Sequence, residues 1–517
     1  MNIALWLYQS AARFAHNPAL FCGSTPVADY ATFAGRAAAI AETLRNQYSI
    51  GKGDRVGLFM KNRTEYLEAI YAILWLGAVA VPINAKLHSK EAAWILANAR
   101  ASLVLVSDDI GAPLKQHLEN EAEAVALWSV DSADFAAITA LPALPPPSPC
   151  EQDDMAWLFY TSGTTGKPKG VMLSHQNLVA MSLCYPVDVD AVNASDAALY
   201  AAPISHGAGL YNFIFVRCGA RHVVPASGGF DESEVLGLAK TLAKTDDALC
   251  MFAAPTMVKR LVETAIARGE NGSGIKTIVY GGGPMYQADI EQAMAVMGPR
   301  FVQIYGQGES PMTITALSRD HHSETDHPRY KQRLSSVGVA QSAVQLRIAD
   351  TNGNALAAGE VGEIEVKGST VMLGYWQNPE ATRNTVHDGW LRTGDMGVLD
   401  KDGFLSLRDR SKDVIISGGT NIYPREVEEV LLTHPCVQEV SVLGQQHADW
   451  GEVVVAFVVT AANQPLDSQA LDQHCLDNMA RFKRPKQYYA VDALPKNNNG
   501  KVEKNVLRAR LQSKAPL

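Results

Sequence analysis

Tyr160-Thr-Ser-Gly-Thr-Thr-Gly-Lys-Pro-Lys-Gly170 decides how this chain is read. The segment follows the apolar run Trp157-Leu-Phe159 and gathers three glycines, four serine or threonine hydroxyls and two lysines. A strand ending in such a loop is suited to phosphate. Glycines let backbone N–H groups approach an anion, hydroxyls donate further hydrogen bonds, and lysines supply charge. The spacing is not that of the common P-loop, which needs four residues between its glycines and a Ser or Thr after its lysine. Here two residues separate Gly163 from Gly166, and Pro168 after Lys167 keeps the chain from turning straight into a helix. Most Gly/Ser/Thr clusters are surface loops; the density of donors and cations sets this one apart.

Working outward, 517 residues are too many for one core and imply two or more domains. The net charge of -9 argues against general nucleic-acid or membrane affinity, so an anionic ligand must be held by local positive charge. Cys22, Cys150, Cys184, Cys218, Cys250, Cys436 and Cys475 are scattered without CxxC pairs. They read as small buried hydrophobes in a reducing compartment rather than as a metal or disulfide framework. The start Met-Asn-Ile-Ala-Leu-Trp lacks the basic and apolar stretches of a secretion signal. The most apolar run, 69–83, is shorter than the ~20 residues a membrane helix needs and is broken by Gly77 and Pro82. It reads as a buried helix followed by a strand. The expectation is a cytoplasmic protein without integral membrane association.

Up to about residue 141, apolar helical patches alternate with β-branched runs at 55–59, 78–82 and 102–106. Strands separated by helix-length segments suggest parallel sheets covered by helices. Leu141-Pro-Ala-Leu-Pro-Pro-Pro-Ser-Pro149 is a stiff extended connector. The alternation resumes through 278–280 and 301–305. Beyond Gly338, short strands with turn signals at 344–348, 362–367 and 403–407 suggest a small β-subdomain. A helix from Arg425, strands at 437–443 and 452–459, and a last helix past Asn505 then give a mixed core of about a hundred residues, enough for a small domain.

The loop at 160–170 resembles the signature of the adenylate-forming superfamily, which comprises acyl-CoA synthetases, peptide-synthetase adenylation domains and luciferases. Other segments resemble further parts of that family, in its order along nearly the whole chain. The resemblance implies an α/β fold: a large N-terminal domain (1–411) of helix-covered parallel sheets plus the small β-subdomain, and a small mobile α+β C-terminal domain (412–517). It implies that Thr161, Ser162, Gly163, Thr164, Thr165, Gly166 and Lys169 bind ATP. Tyr280-Gly-Gly-Gly-Pro-Met285 offers, in Gly282, Gly283 and Pro284, a flat backbone surface for an adenine ring; alone it would be a tight turn. Gln303-Ile-Tyr-Gly-Gln-Gly-Glu309 resembles the family's Tyr-Gly-x-Thr-Glu motif. By that resemblance Gln303, Tyr305, Gly306, Gln307 and Gly308 line the nucleotide, Tyr305 stacks on adenine, and Glu309 holds Mg²⁺ with Thr161 as hydroxyl partner. Magnesium in a nucleotide site needs only one or two protein ligands. The usual threonine is Gly308 here, which removes a phosphate-facing hydroxyl.

Trp390-Leu-Arg-Thr-Gly-Asp395 resembles the family's ribose segment, with Asp395 accepting from the ribose hydroxyls and Arg410 as second contact. Lys412 falls on the family's hinge position. Lys501, in Leu494-Pro-Lys-Asn-Asn-Asn-Gly-Lys501, falls on its catalytic lysine, although a lysine in an Asn-rich loop is ordinarily solvated. Arg481-Phe-Lys-Arg-Pro-Lys486 packs four cations around an aromatic ring and resembles the CoA segment of aryl-CoA ligases. That implies a CoA grip by Phe482, Arg484, Lys486 and Trp450, with Gly418 and Gly419 along the pantetheine tunnel. Ala202-Pro-Ile-Ser-His-Gly-Ala-Gly209 resembles the family's Pro-x-x-His segment, so His206 gates the acyl pocket or thiol path. Ala208, Asn212, Gly282, Gly306, Pro311 and Met312 are the expected acyl lining. Several are small, and none is an arginine that would hold a dicarboxylate.

The resemblance thus implies an AMP-forming acid–CoA ligase acting on a fatty or aromatic monocarboxylic acid, with ATP, Mg²⁺ and coenzyme A. No nucleic-acid partner is expected, and a homodimer is left open. The alternatives are an acyl-AMP ligase loading a carrier protein, a luciferase-like oxidase, and an inactive acyl or nucleotide binder.

Overall fold

The structure is a computed structural model that describes residues 1–119, 125–161, 168–243, 248–410, 413–417, 420–447, 450–461, 464–497 and 501–513. By compactness the chain forms two units. The larger comprises Met1–Pro284, Glu291–Leu346 and Val366–Leu391; the smaller comprises Met285–Ile290, Arg347–Glu365 and Arg392–Leu517. Compactness therefore joins 392–411 to the smaller unit. The expected domain boundary falls at Ser411/Lys412, and both of those residues lie outside the described residues.

Two sheets carry the larger unit. The nine-stranded sheet runs Val339–Ala340, Ser310–Leu317, Phe301–Gln307, Ile275–Tyr280, Leu249–Ala253, Ala197–Leu199, Arg221–Val224, Pro18–Cys22, Thr25–Asp29. From Phe301–Gln307 to Pro18–Cys22 the strands are parallel, and antiparallel pairs close both margins. The seven-stranded sheet runs Gly374–Tyr375, Lys169–Ser174, Met155–Thr161, Val79–Ile83, Arg55–Phe59, Ala101–Val106, Ala126–Ser129. Its last five strands are parallel and its first two antiparallel to their neighbours.

Parallel strands are covered on both faces and so read as continuous apolar runs; Val79–Ile83 is buried at every position. The apolar run at 69–83 splits as expected into the helix Thr64–Trp75 and this strand, with Gly77 turning between them at φ +70. The proline-rich connector lies against the same helix, since Trp75 Nε1 donates to the Pro145 carbonyl at 3.0 Å. No cysteine is in a disulfide among the described residues. Four are buried as expected, but Cys22 is exposed on a strand near the sheet margin, a correction to the uniform reading.

A five-stranded sheet runs Val344–Ala349, Val361–Gly368, Trp390–Leu399, Val386–His387, with Leu405–Arg410 on Trp390–Leu399. The strand expected at 403–407 begins two residues later. Asp400 accepts from the Asp402 and Phe404 N–H groups and Gly403 takes φ +85, so a turn occupies its start. In the smaller unit, Gly451–Thr460 is central to a sheet with Val437–His447 and Ile415–Ser417. The helix Pro424–Leu432 starts on the proline that suits a first helical position. It buries Val427 and Leu431 against Val442, Ala456, Val458 and Leu471.

Candidate active site

Met155–Thr161 and Lys169–Ser174 pair with Thr161 opposite Lys169 and Tyr160 opposite Gly170. They hold the two ends of the glycine-rich loop; Ser162, Gly163, Thr164, Thr165 and Gly166 lie outside the described residues. The lower part of this hairpin is tightly packed. A Cβ on Gly170 would stand 3.1 Å from Leu158 Cδ1 and from Tyr160 Cζ, and the Tyr160 hydroxyl donates to Asn98 Oδ1 at 2.7 Å.

Ligands of parallel α/β sheets gather at the carboxyl ends of the strands. The strands Ile275–Tyr280 and Phe301–Gln307 are parallel neighbours, with Tyr280 opposite Gln303, so both expected adenine segments leave the sheet side by side. Gly281 lies flat on its neighbour, since a Cβ there would meet the Ile304 carbonyl oxygen at 2.5 Å. Gly282, at φ +80, opens outward with nothing within 4 Å of such a Cβ, and Gly283 approaches Pro255. Pro284 is exposed, while Gln303 and Tyr305 are buried.

After Gln307 the chain reverses through Gly308 and Glu309 into Ser310–Leu317. This turn rests on the end of the Met155–Thr161 strand: a Cβ on Gly308 would lie 2.5 Å from Thr161 Cγ2. The two expected magnesium ligands thus stand on adjoining segments of backbone, Thr161 at the strand end and Glu309 one residue beyond Gly308. Among the described residues no group of three or more His, Cys, Asp or Glu side chains could hold a metal ion. A carboxylate and a hydroxyl are both oxygen donors of the kind taken by Mg²⁺, a hard cation that shares its octahedron with phosphates and water.

Tyr375 carried no signal in the sequence, yet it meets this site directly. Its hydroxyl donates to Glu309 Oε1 at 2.6 Å, and Lys169 Nζ lies 4.9 Å from its ring centroid. Burial, reinforced by the Glu309 carboxylate, pushes the phenol well above its ordinary range, so at neutral pH it remains a donor.

His206 precedes the short helix Gly207–Leu210. Its Nδ1 meets Ser205 Oγ at 3.0 Å, and its ring stands edge-on to Phe159 with centroids 5.3 Å apart. Burial pushes the imidazole down to about 4, so it is neutral at pH 7. A second residue without a sequence signal, Asn62, fixes this loop: Nδ2 donates to the Tyr200 and Ala202 carbonyls at 2.7 and 2.8 Å, and Oδ1 accepts from the Ile204 N–H.

Of the expected acyl lining, Ala208, Asn212, Pro311 and Met312 are buried. Met312 sits between two glycines. A Cβ on Gly207 would meet its sulfur at 2.6 Å and one on Gly306 its backbone N at 2.5 Å. Met312 is held at φ +66, a costly conformation for a side chain of this size, and its carbonyl accepts from Gln341 Nε2. Asn212 Nδ2 donates to the Gly209 carbonyl at 2.6 Å, whereas Oδ1 has no partner among the described residues. Gly282 stands in the open instead of against these side chains.

In the smaller unit, Asp395 is buried opposite Arg410 in the strand register, its N–H donating to Thr393 Oγ1. Lys501 is exposed; its N–H donates to Asn497 Oδ1 at 3.0 Å and its carbonyl accepts from the Asn497 N–H. Gly418 and Gly419 lie outside the described residues. Trp450 and Phe482 are exposed by 57% and 49%, aromatic surface left open for stacking. Arg484 and Lys486 line a cleft of about 330 Å³ with Ser468, Gln469, Asp472, Gln473 and Tyr488. There the Arg484 guanidinium is ion-paired to Asp472, so a phosphate would have to compete with that carboxylate.

Residues 7–376 match the AMP-binding enzyme family, and residues 426–501 match the AMP-binding enzyme C-terminal domain. The chain belongs to the AMP-binding enzymes. A feruloyl-CoA synthase of an Amycolatopsis species is 34% identical over 98% of this chain and 99% of its own. Among solved structures, the amide bond synthetase McbA of Marinactinospora thermotolerans superposes with a TM-score of 0.88 at 26% identity, over 98% of this chain and 99% of that one. The o-succinylbenzoate CoA synthetase of Bacillus subtilis, in complex with its acyl-adenylate, gives 0.84 at 31%, over 97% of each chain. The expected fold class, parallel sheets under helices plus a smaller domain, is that of these AMP-binding enzymes. No helix among the described residues is long and apolar enough to cross a membrane.

Proposed function

We propose that this AMP-binding enzyme is an ATP-dependent ligase that joins a fatty or aromatic monocarboxylic acid to coenzyme A through acyl-AMP. The observation that carries the reading is the seating of the Glu309 turn on Thr161, at the mouth of the glycine-rich loop. Similarity to a feruloyl-CoA synthase and to an acyl-adenylate-bound CoA synthetase over nearly the full chain supports it.

In the first half-reaction a carboxylate oxygen of the acid attacks the α-phosphorus of ATP, and the bond to pyrophosphate breaks. Both reactants are anions, so approach requires a cation that stays charged. Lys501 supplies it, bridging carboxylate and α-phosphate without transferring a proton. Lys169 and the hydroxyls of the glycine-rich loop hold phosphate. Gly282, Gly283, Pro284 and Tyr305 receive the adenine, and Asp395 and Arg410 the ribose. Thr161 and Glu309 would hold Mg²⁺, which when bound neutralises phosphate charge. His206, neutral through burial, gates the acyl site without placing another charge there.

In the second half-reaction the CoA sulfur attacks the acyl carbon, AMP leaves with the bonding pair, and the thiol proton passes to water. Trp450, Phe482, Arg484 and Lys486 grip the CoA nucleotide, and Gly418 and Gly419 line the path of the pantetheine arm. The C-terminal domain, turning about Lys412, exchanges one function for the other. The test is Lys501→Ala. Pyrophosphate exchange should fall by about a hundredfold or more, while thioester formation from supplied acyl-AMP stays close to wild type. Equal loss in both assays would remove the two-step reading. Acid-dependent pyrophosphate release that amines or carrier protein stimulate, and CoA does not, would move the acceptor away from CoA.

A further inference from the structure

We propose that Tyr375 is a positioning residue for the nucleotide–metal site: its hydroxyl orients the Glu309 carboxylate and its ring seats Lys169, so that both charges reach the phosphates in fixed relation. The inference rests on the adenylation reading above.

The placement is not incidental, because the segment around Tyr375 is tied to both charged residues through the backbone. Gly374–Tyr375 pairs antiparallel with Lys169–Ser174, setting Tyr375 opposite Val171 and Gly374 opposite Met172. The Trp376 N–H donates to the Gly170 carbonyl at 2.7 Å and the Leu373 N–H to the Met172 carbonyl at 2.9 Å. The Met372 N–H donates to the carbonyl of Glu309 itself at 2.8 Å. Residues 372–376 therefore form a strap between the strand that leaves the glycine-rich loop and the turn that bears the carboxylate. The strap is anchored beyond its ends. Asn177 Nδ2 donates to the Ser369 and Val371 carbonyls at 2.8 and 2.9 Å, and the Tyr375 N–H donates to Thr382 Oγ1.

On this strap the side chain of Tyr375 is 6% exposed. Its phenol reaches Glu309 Oε1 at 2.6 Å, and Lys169 Nζ sits over its ring face. A neutral donor on one carboxylate oxygen fixes the carboxylate's orientation and leaves its charge in place. A cation over a ring face is held by the quadrupole without a counter-ion that would cancel it. Both arrangements preserve charge while removing rotamers, which is what a pre-organised phosphate and metal site requires.

Tyr375→Phe keeps the ring, the strap and the Lys169 contact and deletes only the donor. The expected result is an about tenfold rise in the Mg²⁺ concentration that half-saturates pyrophosphate exchange, the size of one hydrogen bond to a charged group. The KM for the acid and the melting temperature should stay at wild-type values. Mn²⁺ affinity of the ATP-loaded protein, read by electron paramagnetic resonance without turnover, should weaken by the same factor. In a Glu309→Gln background Tyr375→Phe should add nothing, because there is no carboxylate left to orient. Tyr375→Leu, which also removes the ring, should raise the KM for ATP further as Lys169 loses its seat. Unchanged Mn²⁺ affinity in Tyr375→Phe, or additive losses in the double variant, overturns the positioning role. Absence of acid-dependent exchange in the wild-type protein would instead overturn the adenylation reading, whatever Tyr375 does.

Discussion

Gly308 stands where the adenylate-forming motif carries a threonine, and its surroundings show what the exchange has done. The space a side chain would need is filled by the Thr161 methyl, 2.5 Å from an added Cβ, with the Phe159 ring at 3.2 Å. Restoring the threonine therefore does not simply add a hydroxyl; it pushes on the strand end that carries Thr161, the proposed magnesium ligand. Gly308→Thr is expected to lower adenylation turnover by about tenfold, in the range that small displacements cost pre-organised sites. Thr161→Ser in the same chain, which keeps the hydroxyl and removes the methyl, should recover most of it. Steady-state pyrophosphate exchange checks both variants; a faster single variant would mean that the glycine is a defect and not a fit. Residues of this rank were legible only where their type announced charge or flexibility, as with Lys169, Glu309 and the glycines. Tyr375 and Asn62 were not, because one tyrosine in a two-residue strand and one asparagine in a turn create no period and no spacing. Their roles come from partners distant in sequence.

At the level of elements, the parallel strands were readable because burial on both faces leaves unbroken apolar runs. Arg55–Phe59 was found where the run at 55–59 had placed it. The antiparallel margins were less legible, since their pairing depends on what the chain returns to rather than on local pattern. The short helix after His206 shows how tightly such a junction can be specified. A Cβ on Gly209 would fall 1.8 Å from the Ile204 carbonyl oxygen and 2.7 Å from its carbon, both backbone atoms of the loop that leads to His206. The glycine's own carbonyl accepts from Asn212, so the turn, the loop and one acyl-lining candidate form one piece. Gly209→Ala should cost about 1–3 kcal/mol of stability, as overpacking generally does. It should also raise the KM for the acid, because the loop can yield only by moving Ser205 and His206. Thermal melts with and without acid, together with KM, decide the matter; a variant unchanged in both would show that the loop shifts without consequence.

At the scale of the whole molecule, four buried histidines give the larger unit a pH dependence of its own, beside the net charge of -9. Burial is the chief cause that pushes His175, His206 and His322 down to about 4 and His222 to about 3, from an ordinary value of 6.5. All four belong to the larger unit. His222 is clasped between the Tyr30 and Tyr200 hydroxyls, and His322 between the Tyr280 hydroxyl and the Ser318 carbonyl, so neither can reach water while folded. The folded values lie below the unfolded one, so the unfolded chain binds the extra protons. The stability these residues allow is therefore complete above about pH 6.5 and lost as the pH falls towards about 4. Each costs up to about 1.4 kcal/mol per pH unit across that window. Carboxylates held low by their partners, such as Asp109 beside Lys61 and Asp154 beside Lys52, give way only at lower pH, so they do not obscure the effect. The melting temperature of the larger unit should be level near neutrality and fall steeply below about pH 6. Calorimetry in buffers of different ionisation enthalpy near pH 5.5 should record uptake of about three to four protons on unfolding. His322→Gln, which retains an amide for the same two partners, should remove about one of them. A melting temperature that stays level from pH 7 to pH 5 would mean that the buried imidazoles find water before the unit unfolds.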